Sequence, residues 1–195
     1  MKNEKTKRMV GIALLMAMIV VLQLVSSSIP PIGGMVSISL VLIPIVLGGA
    51  IYGIGCGAFL GAVFGVVVLI NCITGADPGG AMVFQANPPL CAVVVLAKGV
   101  LAGLLSASFY RLFHKRNAYV AMLTAAIVCP VVNTGVFLAC MALWFSDVLA
   151  AWAGGGNTLA YVMSVLVLCN FVPELILNVV FSTAGQRIIH VVKKK

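Results

Sequence analysis

Lys98 stands alone in the run L-C-A-V-V-V-L-A-K-G-V-L-A-G, and its nearest charged neighbours in the sequence are Asp77 and Arg111. An ammonium there needs a partner, water or a function, because ionisable groups in apolar spans face a protein interior or a cavity. Asn133 and Asn170 lie in later apolar runs. Glu174 and Asn178 follow Asn170 at i+4 and i+8, which places them on one helix face. Two kinds of chemistry fit this set. The groups can bind a polar ligand by charge and hydrogen bonds, or Lys98 and Glu174 can form a structural ion pair while the asparagines bridge helices. Gln85 and Asn87, just before Pro88 and Pro89, offer further hydrogen bonds or are plain loop residues. Asp77-Pro78-Gly79-Gly80 reads as a turn.

Catalysis fits poorly. The chain has no P-loop pattern, no G-x-S-x-G, no H-E-x-x-H and no paired carboxylates. Cys56, Cys72, Cys91, Cys129, Cys140 and Cys169 lie in or beside apolar runs, without C-x-x-C or a Cys/His cluster. They read as small buried hydrophobes. His114 and His190 sit among basic residues at segment ends. No enzyme activity, metal or cofactor is expected.

The elements that position these groups follow from composition. The 195 residues are 63% hydrophobic and 8% charged, with mean hydropathy +1.21. Soluble domains are about 45–50% apolar and about 25% charged, so the chain is an all-α integral membrane protein. Apolar runs predict six transmembrane helices, at about 9–28, 36–53, 55–73, 89–113, 118–145 and 159–183. No polar stretch is long enough for a second domain, so residues 1–195 are read as one. The basic start, the first apolar run and Ser26-Ser27-Ser28 also fit a signal peptide. The run is long for one, however, and no A-x-A follows it. Glycines at 53, 57, 61 and 65 form a small-xxx-small ladder. Such ladders let helices approach closely in lipid, either inside the protein or against a partner. Trp144 and Trp152 suit a membrane interface.

Charge orients the spans. All basic residues except Lys98 fall at the two termini or in the turn at 111–116, while the opposite loops carry Asp77 and Asp147. The positive-inside bias then makes both termini cytoplasmic and turns the loops at 26–36, 74–88 and 146–158 outward. A five-span chain would scatter these charges, which argues against cleavage. The basic face also suits anionic lipid, and nothing points to nucleic acid. Measured inward at 1.5 Å per residue, Lys98, Asn133 and Asn170 lie roughly 14, 18 and 16 Å deep. Three polar side chains on consecutive helices at one depth predict an outward pocket, with the loops at 26–36 and 74–88 as its lid.

The chain resembles the substrate-binding S components of energy-coupling factor (ECF) transporters, the bacterial vitamin importers. The likeness covers nearly the whole chain. It rests on A-L-L-M-A from Ala13 to Ala17, L-I-P-I at 42–45 and Y-G-I-G-C-G at 52–57 with Gly61 and Gly65. N-T-G-V-F at 133–137 and N-F-V-P-E-L-I at 170–176 complete it. Ile54 stands where the family often has proline. The pattern is similar to the riboflavin, folate and pantothenate branch. The resemblance implies a multi-pass subunit of the bacterial plasma membrane that binds one vitamin in an outward pocket. It implies docking through Ala13 and Ala17 onto a transmembrane T subunit carried by two ATPases, and toppling in the membrane to deliver cargo. Lys98, Asn133 and Asn170 become ligand contacts.

A buried lysine favours an anionic ligand. Pantothenate fits, as do nicotinate and folate, and few aromatic stacking partners are evident beyond Phe137 and Phe171. Two other classes remain open: a non-transporting scaffold or assembly factor, and a stand-alone channel or secondary carrier.

Overall fold

A computed structural model describes residues 2–28 and 40–193. These residues are helical nearly throughout. The helices are α1 (Lys2–Ser28), α2 (Leu42–Tyr52), α3 (Ile54–Thr74), α4 (Pro78–Ala86), α5 (Pro88–His114), α6 (Ala118–Trp144), α7 (Ser146–Trp152) and α8 (Thr158–Tyr161). A π-helical stretch (Val162–Phe171) then leads into α9 (Val172–Lys193). Five stretches are long and apolar enough to cross a membrane: Glu4–Ser27, Ile54–Thr74, Pro88–His114, Ala118–Trp144 and Thr158–Gly185. In the region of the expected second span the structure has α2, an apolar helix of 11 residues, shorter than these five. The start of that span before residue 40, and most of the expected first loop, lie outside the described residues.

Local chemistry sets the breaks. Gly53 divides α2 from α3 at φ +96°, and Gly75 ends α3 at φ +78°, a backbone region that side chains with a Cβ avoid. Asn87, Asn117 and Asn157 open α5, α6 and α8, accepting backbone N–H groups from the first turn at 2.8 to 3.4 Å, as N-caps do. Two expected loops are partly helical. Pro78 at the start of α4 fixes φ without removing a needed donor, and buried Val83 holds that helix to the body. α7 folds between α6 and α8 because Leu149 and Trp152 bury themselves. Trp144 remains exposed, but Trp152, expected at the membrane interface, is only 6% exposed.

The glycine ladder is an internal seam. α3 and α5 pack backbone to backbone, as small residues permit where packing rather than hydrophobicity drives association. A Cβ at Gly57 would lie 2.6 Å from the Gly103 carbonyl oxygen, and one at Gly65 would lie 2.8 Å from that of Val95. Between these, Gly61 and Gly99 face each other so closely that a Cβ on either would strike the other's carbonyl.

α6 joins this pair through Ser106 Oγ, which donates to the Ala125 carbonyl at 3.0 Å. Pro130, inside α6, has no N–H to give the Ala126 carbonyl four residues earlier. Asn178 Nδ2 of α9 supplies the missing donor at 2.7 Å. The wide turn before α9 runs into Pro173, and Val172 N–H donates to Val167 O five residues back. α1 sits at the edge, against α2 and α3.

Candidate substrate cavity

The bundle holds a partly open cavity of about 110 Å³. α5 contributes Lys98 and Cys91, α6 contributes Asn133 and Phe137, and the π-helical stretch contributes Asn170. Glu174 enters from α9, Phe64 and Cys72 from α3, Trp152 from α7, Gln23 and Ser26 from the C-terminal part of α1, and Asp77 from the turn before α4. Helical spacing explains two of the walls. Asn133 and Phe137 are i, i+4 on α6, and Asn170 and Glu174 have the same spacing across the last span, so each pair shares a face.

Asn133, Asn170 and Glu174 are 6%, 9% and 3% exposed. Asn133 Oδ1, Asn170 Oδ1, Glu174 Oε1, Gln23 Oε1, Ser26 Oγ and Trp152 Nε1 are buried without a hydrogen-bond partner among the described residues. Buried polar atoms are normally paired, so this concentration marks the cavity as a polar site. Lys98 forms no ion pair with Glu174 or Asp77; the one ion pair among the described residues is Lys7–Glu4 at 3.2 Å, on the surface. The Lys98 ammonium instead lies over aromatic faces, 4.9 Å from the Phe137 centroid and 5.8 Å from that of Phe64. Such contacts attract a cation to the ring quadrupole. Phe137 in turn stacks on Trp152, with centroids 6.3 Å apart.

Asp77 completes the set from the turn before α4. Burial pushes its carboxyl above the ordinary range, opposed by the backbone N–H groups of Gly80 and Gly79 and by the charge of Lys98.

The structure thus gathers Lys98, Asn133, Asn170 and Glu174 around one space. It does not bring Gln85 or Asn87 there. Both are exposed, and Asn87 is occupied as the cap of α5. Ala13 and Ala17 lie on the exposed face of α1 beside Leu14 and Met18, away from the cavity. Asp77, Trp152 and Gln23 line the cavity without having stood out in the sequence. For Asp77 the available signal was the rarity of carboxylates, only four acidic residues in the chain.

Residues 7–183 match the family described as "ECF transporter, substrate-specific component". The chain belongs to that family. No curated protein matches it. As an ECF substrate-specific component it is a membrane transport subunit, and members of this family are transporter subunits rather than enzymes. The family and the apolar helices together make it a multi-pass membrane protein.

Proposed function

We propose that this ECF component is the high-affinity binding subunit of an ATP-driven importer for a water-soluble vitamin or related micronutrient. A small anion such as pantothenate is the favoured chemistry. The observation that carries the proposal is the cavity, in which an unpaired ammonium at Lys98 faces buried, unpartnered groups on Asn133, Asn170 and Glu174. A scaffold would be expected to pair Lys98 with Glu174 internally, and that pair is not formed.

In this reading the chain is one six-helix domain of the bacterial plasma membrane, with α2 in the second of the six spans and both termini cytoplasmic. The charge asymmetry supports that orientation. ATP hydrolysis belongs to two partner ATPases, coupled through a T subunit that docks on α1 at Ala13 and Ala17. The exposed, small-residue surface there supports such docking.

The test is a thermal-shift panel of water-soluble vitamins on the purified chain, joined to co-purification with the T subunit and ATPases. One compound is expected to stabilise the protein, and Trp at Ala13 or Ala17 to abolish co-purification without lowering the melting temperature. Stabilisation by no compound together with unaltered assembly of the Trp variants would reject the proposal.

A further inference from the structure

The proposed function says that the cavity takes a ligand; its polar atoms say more about which kind. We infer that the ligand is bipolar, with an anionic group meeting Lys98 and N–H or O–H donors across the molecule meeting Glu174 and Asn170. This rests on the reading of the cavity as the transport site.

The two sides of the cavity differ in chemistry. Lys98, on α5, brings positive charge and donors only. The wall formed by the last span brings Asn170 Oδ1 and Glu174 Oε1, both buried acceptors without partners. Asn133 Oδ1 on α6 adds a third. Turning an asparagine amide exchanges its acceptor for a donor, but Glu174 has no such choice. Ionised, it accepts at both oxygens, and protonated it still leaves one oxygen to accept.

A ligand that is only an anion would satisfy Lys98 and leave Asn170 and Glu174 without a donor. A ligand that is only a donor would leave the ammonium resting on Phe137 and Phe64. A carboxylate carrying hydroxyl, amide or amino hydrogens at its far end meets both walls. Phe137 and Trp152 offer its middle an apolar, planar surface. This class includes hydroxy-acids and amino-substituted aryl carboxylates. It excludes carboxylates whose far end can only accept hydrogen bonds.

The experiment uses the full chain in detergent, with affinities from calorimetry and melting shifts. Pantothenate and 4-aminobenzoate are the donor-bearing carboxylates, benzoate and nicotinate are the carboxylates without donors, and aniline is the donor without charge. At least one donor-bearing carboxylate should bind about tenfold or more tightly than the donorless pair, the size of one charge-assisted hydrogen bond. Glu174→Met should erase most of that preference, whereas Lys98→Met should weaken every carboxylate. Should Glu174→Met fail to fold, Asn170→Leu removes the neighbouring acceptor and should lower the same preference.

Equal binding of benzoate or nicotinate, or a preference that survives both variants, overturns the inference while leaving an anion-binding importer intact. Failure of all four carboxylates also overturns it. The importer itself then stands or falls on co-purification with the ATPases, which none of these probes affects.

Discussion

Replacing Lys98 by methionine separates a ligand-binding lysine from a structural one by the sign of the stability change. Methionine keeps the length of the side chain and removes the charge. An ammonium at the centre of a membrane helix costs about 2.5–3.5 kcal/mol, and the variant recovers that. It loses two contacts with the rings of Phe137 and Phe64, worth about 1 kcal/mol each at this degree of burial. The empty protein should therefore hold its stability or gain about 1 kcal/mol, a rise of about 2–4 °C for a chain of this size. A structural ion pair predicts the opposite, since breaking one inside a protein costs about 3–5 kcal/mol. The ligand should suffer most. Losing one charge-assisted hydrogen bond, about 1.5–3 kcal/mol, weakens binding by roughly 10- to 150-fold. The assay is thermal unfolding of the empty protein beside ligand titration. A fall of 10 °C or more in Lys98→Met, restored by adding Glu174→Met, would show that the two residues stabilise each other and that the lysine is not held for a ligand.

Two further outcomes follow from the structure. Asn178→Leu should destabilise the protein by about 1–3 kcal/mol, the cost of an unsatisfied buried acceptor, because the Ala126 carbonyl loses its donor. Adding Pro130→Ala should recover most of the loss by restoring the N–H four residues on; chemical unfolding of the single and double variants measures both, and no recovery would reject this pairing. Asp77, whose folded pKa is raised by burial, contributes stability that is complete below the ordinary aspartate value of about 3.9. That contribution is lost as pH rises through the higher folded value. Asp77→Asn should therefore melt at the wild-type temperature near pH 3.5 and above it at pH 7, and an equal or lower melting temperature at pH 7 would refute the burial cost.

What the sequence discloses and what it hides divide along a physical line. Membrane spans are legible because lipid demands long apolar helices, and four of the five long apolar stretches begin and end within a few residues of the hydropathy limits. The N-terminal helix starts earlier, at Lys2, since the basic cap continues the same helix. The clustering of Lys98, Asn133 and Asn170 was legible from a shared depth, because polar groups in lipid turn inward, and that of Glu174 from its i+4 spacing to Asn170. Depth carries no information on which of them touch, and the absent Lys98–Glu174 ion pair could not be read from it. Trp152 and Asp77 were hidden for another reason. Each lies in a segment whose glycines and polar residues read as a loop, and only the folding of α7 and the turn before α4 against the bundle turns them inward. Gln85 and Asn87 show the converse, since Asn87 is spent on capping α5.

The two walls of the cavity also rest on different supports. Lys98 adjoins Gly99, whose backbone presses on Gly61 in a seam with no room for a Cβ. Close-packed backbones of this kind leave few alternative arrangements, so the backbone that carries the lysine is held in place. Asn170 lies instead in a π-helical stretch, a departure from α-helical geometry that frequently accompanies functional sites. In α-helical register a residue turns by about 100°, whereas a wider turn rotates it by less, so the widening alters the direction in which Asn170 projects. Each buried polar atom left unpaired costs about 1–3 kcal/mol, and such a cost persists only where the surrounding packing over-determines the site. The glycine seam on one side, and the Asn178–Ala126 bond that ties α9 to α6 on the other, provide that packing. These two contacts lie next to the cavity and leave its asparagine and glutamate oxygens unpaired within the protein.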